Sequence, residues 1–414
     1  MIRLWGMVPL ACALAAAPAQ AASGAARPKV EVGLERLAAG GAAALRGKRV
    51  GLVVHAASVT ADGRHHVDVL RDLGVKVVRL FAPEHGLRSR AAAGESVDSG
   101  MDAASGLPVV SLYGAKTKPA LHDLQDLDAL VFDLQDAGVR FYTYASTLLL
   151  CLEAATEAGI EFVVLDRPNP LGGEEVEGPP ADPREQVPAS LVNRTPGPLV
   201  HGLTLGEMAR YVNAGAVRKA KLTVIAMRGW QRGMRWPDTG RPWIAPSPNL
   251  RTPEAALAYP GVCLLEATNL SEGRGTEAPF LLLGAPWLKP ETLAGVSAPG
   301  FTLEPARFTP AASTAAPNPK LLGEECRGAR VRVVDPRAAR PYELGLRLLA
   351  ALRREPEFRW SREGALDWLL GTRRVREALE RGDSVEAILK ADGPALQAFR
   401  KDRAVALLYA QRPK

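Results

Sequence analysis

The chain has 414 residues, 47% of them hydrophobic and 23% charged, with a net charge of +7. That length exceeds one ordinary core and implies two domains. The composition excludes a disordered chain. The basic excess is scattered arginine, with neither the long basic run nor the aromatic-rich motif of a nucleic-acid binder.

The first residues read as an export signal. Arg3 provides the positive start, an apolar run over 4–18 follows, and Ala19-Gln20-Ala21 offers small residues for cleavage. Leu10-Ala11 before Cys12 also fits a lipid-anchor pattern, though with almost no apolar core upstream. The expectation is a signal peptide over 1–21 and a periplasmic or secreted mature chain. No later stretch is long and apolar enough for a membrane span. Cleavage leaves Cys151, Cys263 and Cys326. No Cys-x-x-Cys pair or zinc site is present, Cys151 sits in an apolar helical stretch, and Cys263 and Cys326 are able to pair in an oxidising compartment.

From residue 29 the pattern alternates strand and helix. Residues 48–55 read as a strand, 64–73 as a helix, 75–81 as a strand followed by a long loop to 107, and 108–113 as a short strand. Residues 127–134 form a near-continuous apolar strand, as when both faces are buried. Residues 142–158 carry helical spacing and stop at Gly159, and 160–165 are another buried strand. Alternation of this kind predicts parallel βαβ units. Residues 168–198 are Pro- and Gly-rich and aperiodic, which places a domain boundary near 200 (29–200 and 201–414). Beyond it, Thr204-Leu205-Gly206-Glu207 fits a capping box, and 221–227 read as a strand. A Pro- and Trp-rich loop over 230–249 and a Pro/Ala-rich stretch over 286–320 follow, flanking apolar 281–283. Residues 330–334 read as a strand, 342–352 as a helix, and the remainder as mostly helical.

Four strands run directly into polar clusters, at His55, Glu84-His85, Gln135-Asp136 and Asp166-Arg167. Ligands bind at the carboxyl ends of strands in open α/β sheets, so the pattern points to an enzyme with its site along one sheet edge. The first strand leads into Val54-His55-Ala56-Ala57-Ser58, without the glycines a pyrophosphate requires. Gly-x-Ser-x-Gly and His-Glu-x-x-His are also absent. Carboxylate chemistry remains.

Glu84, beside Phe81 and Pro83, fits a general acid with a raised pKa, or alternatively a loop ion pair with Arg88. In residues 132–144, Asp136, Arg140 and Tyr142 suit a sugar site, with Tyr144 structural. Asp166 and Arg167 close their strand with an acid and a base at the sheet edge or simply pair, and Asn169 between two prolines reads as a rigid ligand-orienting amide or a turn. Arg274, between two glycines in the polar loop over 266–277, reads as presented for bidentate grip of a carboxylate, or as part of a solvated loop. His201 precedes the capped helix, and Asn249 ends a rigid wall that carries Trp243.

Taken together, Phe81-Ala-Pro-Glu-His-Gly, Ser111-Leu-Tyr-Gly, the string over 132–144, Leu165-Asp-Arg-Pro-Asn-Pro, His201-Gly-Leu-Thr-Leu-Gly-Glu, Ser247-Pro-Asn and Asn269-Leu-Ser-Glu-Gly-Arg-Gly-Thr closely resemble one family. It is the exo-β-N-acetylmuramidases of the NamZ type, and the resemblance runs from about residue 30 to the C-terminus. It implies an α/β fold, with a Rossmann-like parallel-sheet domain followed by a smaller α/β domain and the active site in the cleft between them. It implies release of N-acetylmuramic acid from the non-reducing end of peptidoglycan fragments, with no cofactor, no metal and no nucleic acid. The family's catalytic carboxylate carries over to Glu84. His85 and Asp136 join it as catalytic candidates, with Glu266 and Glu272 competing with Asp136 for the second carboxylate. Arg140, Tyr142, Asn169, His201, Asn249, Glu266, Asn269, Glu272 and Arg274 are the substrate-binding candidates, Arg140 or Arg274 meeting the lactyl carboxylate. This chain departs from the family pattern at His55-Ala56-Ala57-Ser58, at Arg251 and at Ala267. A non-catalytic cell-wall glycan-binding protein is the alternative. A phosphosugar enzyme is a weaker rival, since its phosphate cradle is missing.

Overall fold

The computed structural model describes residues 30–410 apart from 90, 93, 96–98, 186, 188, 189 and 363. The expected signal segment over 1–21 lies outside the described residues. Among those described, no helix is long and apolar enough to cross a membrane.

Seven strands form the larger sheet: β1 (Arg49–Val54), β2 (Lys76–Ala82), β3 (Gly100–Met101), β4 (Pro108–Ser111), β5 (Ala129–Asp133), β6 (Glu161–Leu165) and β7 (Lys221–Ile225). Their order is β3-β4-β2-β1-β5-β6-β7. Every pairing is parallel except that of the two-residue edge strand β3 with β4. Counted in chain order, the six parallel strands lie 3-2-1-4-5-6, the doubly wound arrangement. The order reverses beside β1, and the crevice of such a sheet opens at that switch point. The loops after β2 and β5 flank it.

The run in β5 is continuous because its two faces feed different cores. Leu130 and Phe132 join one apolar cluster, with Val53, Phe162 and Val164. Ala129 and Val131 join the other, with Leu52, Val54, Val163 and Leu165. The first cluster also takes in the helix Tyr144–Ala158 and runs without a break into the second half of the chain, through Tyr259, Phe280, Phe301 and Leu344. One continuous core therefore fixes the two halves against each other.

The smaller sheet is antiparallel, with β8 (Leu282–Ala285), β9 (Phe301–Phe308) and β10 (Cys326–Val333) in the order β8-β10-β9. Strand β9 lies within the stretch read as Pro/Ala-rich. It is an edge strand, where Pro305 is tolerated because one side of the ladder needs no donor.

The boundary read near residue 200 falls between two strands of the larger sheet. Strand β7 pairs in parallel with β6, so the first unit continues past the irregular 168–198 segment through the helix Leu205–Gly215. Thr204 caps that helix as its sequence implies, accepting from Glu207 N. Among the described residues, three helices were not legible: Gly33–Ala39, Leu121–Leu124, and Pro253–Val262 with Pro260 inside it.

Candidate active site

Strand β2 delivers Pro83 and Glu84 to the switch point. The turn after them takes His85 and Gly86 through left-handed backbone (φ 69° and 74°), a conformation uncommon for a residue with a side chain. Two donors hold the Glu84 carboxylate. Thr143 Oγ1 donates to Oε2 at 2.7 Å, and the Gly94 amide donates to Oε1 at 3.1 Å. The Tyr144 hydroxyl bonds to the Glu84 carbonyl at 3.2 Å and to that of Pro246 at 3.0 Å, which makes it structural, as expected. Tyr113 lies beside Glu84; burial and then the Glu84 charge raise its phenol. Arg88 bonds to Asp102 at 2.8 Å rather than to Glu84. His85 Nδ1 donates to the Ala91 carbonyl at 2.9 Å. Burial lowers the imidazole, against a partial opposing effect of Glu84. His85 is therefore neutral near pH 7 with Nε2 as the unprotonated nitrogen.

Glu84, His85, Gly94, Tyr113 and Thr143 line a cavity of about 310 Å³. Tyr142 faces the same space, its ring in edge contact with Tyr144 at 4.7 Å. Further lining comes from the second half of the chain: Tyr259 on the helix Pro253–Val262, Cys263 and Glu266 on the turn Cys263–Ala267, Arg274, Asn249 and Phe280. Arg274 bonds to Glu266 Oε1 through Nη2, approaches Glu272 Oε1 with Nε at 3.3 Å, and lies 5.1 Å above the Phe280 ring. Burial opposes its charge, but Glu266 and Glu272 more than offset that and hold the guanidinium above its ordinary value. The Cys263 thiol donates to Glu266 Oε1 at 3.2 Å. Asn249 Nδ2 donates to the Ala315 carbonyl at 2.9 Å, and its buried Oδ1 has no partner. A second cavity of about 500 Å³ adjoins the first, sharing Gly94, Glu266 and Arg274 and adding Glu272 and Lys320. The Glu266–Arg274 pair stands between them.

Over residues 50–254 the chain matches the family described as exo-beta-N-acetylmuramidase NamZ, N-terminal, and over 257–409 its C-terminal counterpart. The chain belongs to the NamZ exo-β-N-acetylmuramidase family. It is 41% identical over 404 residues to the peptidoglycan beta-N-acetylmuramidase NamZ of Bacillus subtilis (strain 168), covering 96% of this chain and 95% of that one. Two crystal structures of DUF1343 family proteins from Bacteroides fragilis NCTC 9343 share the fold. One has a TM-score of 0.83 at 31% identity over 92% of this chain and 99% of its own. The other has a TM-score of 0.77 at 30% identity over 93% and 100%.

Within this NamZ-family site, six of the expected residues meet at the first cavity: Glu84, His85, Tyr142, Asn249, Glu266 and Arg274. Glu272 lines the adjoining one. The others line neither cavity, and their side chains instead pair with amides, carbonyls or side chains of the surrounding loops. Arg140 is wholly buried, donating to the carbonyls of Pro179 (2.8 Å), Gly197 (2.9 Å) and Leu370, and burial pulls its guanidinium down to about 10. Asn169 bridges the Leu203 carbonyl and the Leu171 amide, both at 2.9 Å. His201 Nδ1 accepts from Leu203 N at 3.1 Å, with Nε2 3.7 Å from Asp136. Asp136 accepts from Gly138 N at 2.8 Å and does not line the cavity. Asn269 ties down the Glu357 carbonyl and the Arg359 amide. Arg167 pairs with Asp133 rather than with Asp166, while Asp166 accepts from Thr204, Gly206 N and Tyr409. Cys263 and Cys326 are both free: the first is engaged with Glu266, and the second is packed against Phe308 and Leu282.

Sequence reasoning missed Tyr113, Thr143, Tyr259 and Cys263 as lining residues. The first two lay inside quoted family strings. Tyr259 had no legible signal, because Pro260 masked its helix.

Proposed function

We infer that the protein is an exo-acting glycoside hydrolase that releases N-acetylmuramic acid from the non-reducing end of peptidoglycan fragments. The observation that carries this reading is the pair of carboxylates, Glu84 and Glu266, that line one cavity of about 310 Å³. That volume lies at the low end of the ~300–1,000 Å³ typical of ligand pockets, which suits one terminal sugar and hence exo action. The name of the Bacillus subtilis relative supports the same substrate class.

In this mechanism Glu84, held by Thr143 and Gly94, protonates the glycosidic oxygen. Glu266, rather than Asp136, is the second carboxylate, held by Arg274 and Cys263. Arg274 Nη1, which has no partner among the described residues, meets the lactyl carboxylate. Tyr142, Tyr259 and Phe280 cover the apolar faces of the sugar. The apolar run over 4–18 before Ala19-Gln20-Ala21 supports export and a periplasmic or secreted location, where wall fragments occur.

Incubation with a disaccharide of N-acetylmuramic acid β-linked to N-acetylglucosamine, followed by mass spectrometry, tests the reading. Free N-acetylmuramic acid is expected. Intact disaccharide that is bound but never cleaved would favour a non-catalytic glycan-binding protein.

A further inference from the structure

The turn that carries Glu266 and Arg274 into the cavity is gripped from behind by a single ammonium group. After the short helical turn Cys263–Ala267 the backbone winds so that the carbonyls of Leu265, Thr268 and Leu270 converge on one point. Lys320 Nζ occupies it, at 2.8, 2.9 and 3.0 Å from the three oxygens. An ammonium has three N–H donors, and these carbonyls use all of them. Glu272 Oε2, 3.2 Å from the same nitrogen, is buried without a hydrogen bond of its own. Its contact with the nitrogen is one of charge. Four oxygens around one positive centre are the surroundings of a bound monovalent cation, supplied here by a tethered one.

Lys320 lies on the connection between β9 and β10, which is seated against the same turn at a second point. Ala311 N donates to the Gly275 carbonyl at 2.8 Å. A Cβ at Gly275, where φ is 79°, would stand 2.6 Å from the Ala311 oxygen and 2.7 Å from Pro319. The connection thus approaches closely enough for Lys320 to reach the carbonyls. Although Lys320 lines the adjoining cavity, its donors are already used, so it has none left for a ligand there.

We propose that Lys320 is a positioning residue for the muramidase reaction, a tethered cation that fixes the turn bearing Glu266 and Arg274, and that a small free cation can take its place. The proposal rests on the muramidase reading given above. It predicts a site that remains cation-selective when the lysine is removed.

The test uses the full-length protein and the variant Lys320→Ala with an aryl β-N-acetylmuramide as substrate. Expected is a fall in kcat on the order of 10²-fold from the loosened turn, with at least partial recovery in ethylammonium or potassium chloride but not in the chloride of a bulky quaternary ammonium. Lys320→Arg should not recover, because a planar guanidinium cannot direct three donors at these carbonyls. Thermal melting gives a second readout: ethylammonium or potassium should raise the Tm of Lys320→Ala and leave that of the wild type unchanged. Wild-type kcat in Lys320→Ala, or a loss that no small cation restores, overturns the proposal. If the wild type itself releases no sugar, the muramidase reading fails, and the melting experiment alone decides whether Lys320 fills a cation site. Should Lys320→Ala be insoluble, Lys320→Met retains the stem for the same measurements. Failure of both to fold even with cation present also overturns it.

Discussion

Thr143 donates from Oγ1 to Oε2 of Glu84 at 2.7 Å, and it stands immediately before the helix Tyr144–Ala158. The end of β2 is thereby tied to the helix that follows β5. The two loops meet because only β1 separates those strands in the sheet. A hydroxyl serves a carboxyl group in either protonation state, since it can donate to the anion and accept from the acid. Replacing Thr143 by Val keeps the shape and removes that partner. Expected is a roughly tenfold fall in kcat, about the worth of one hydrogen bond to a charged group, with KM little changed and Thr143→Ser close to wild type. Steady-state kinetics of the three proteins check this.

Arg140 is expected to serve stability rather than substrate. Its guanidinium satisfies the carbonyls of Pro179, Gly197 and Leu370. Arg140→Leu leaves three buried acceptors without partners, each costing about 1–3 kcal/mol. Urea unfolding should show a loss of at least ~3 kcal/mol, while KM of the folded fraction stays near wild type. A raised KM at unchanged stability would return Arg140 to the substrate site.

Much of the fold was legible because a parallel sheet buried on both faces writes long apolar runs, as in β5 and β6. Strand β9 was not, since an edge strand bearing Pro305 and exposed alternate residues lacks that pattern. The helix Pro253–Val262 was hidden by Pro260. Glu84 and Glu266, read from charged residues after apolar stretches, and Arg274, read from its two flanking glycines, line one cavity. Arg140, Asn169 and His201 bore the same signature for another reason: they hydrogen-bond the buried loops. A sequence states that a polar group follows a strand; whether it faces the crevice or the loop backbone depends on contacts from residues far along the chain, such as Leu370 for Arg140.

The buried His55 gives the protein an acid-side weakness. Its Nε2 accepts from Gln135 N at 2.9 Å, and burial, followed by the nearby Arg167 charge, lowers the imidazole to about 3 from 6.5. In the unfolded chain it takes up a proton near 6.5, and in the folded protein only near 3. Between these values the unfolded state binds more protons, so the His55 contribution to stability falls as pH drops through this window, by up to ~5 kcal/mol, and is level above it. His55→Gln should remove the His55 part of the slope between pH 6.5 and 4, a window in which the buried Asp166 carboxyl, pushed up to about 6, acts with the opposite sign. Urea midpoints across that interval measure it.

Arg274 lines the cavity with Nη1 unpartnered among the described residues while Glu266 and Glu272 hold the rest of the guanidinium. Arg274→Lys keeps a charge but loses the fork. The expected result is a loss of roughly tenfold or more in kcat/KM on muramic acid substrates, and a smaller loss on any residual turnover of the analogue lacking the lactyl group. Equal losses on both would remove Arg274 from lactyl recognition.

The most direct test of Glu84 as proton donor compares leaving groups. A nitrophenolate departs without help, whereas the hydroxyl of N-acetylglucosamine requires a proton. Glu84→Gln should therefore lose on the order of 10²–10⁴-fold in kcat on the disaccharide, and far less on the nitrophenyl β-N-acetylmuramide. Equal losses on the two substrates, or disaccharide cleavage at the wild-type rate, would contradict the assignment.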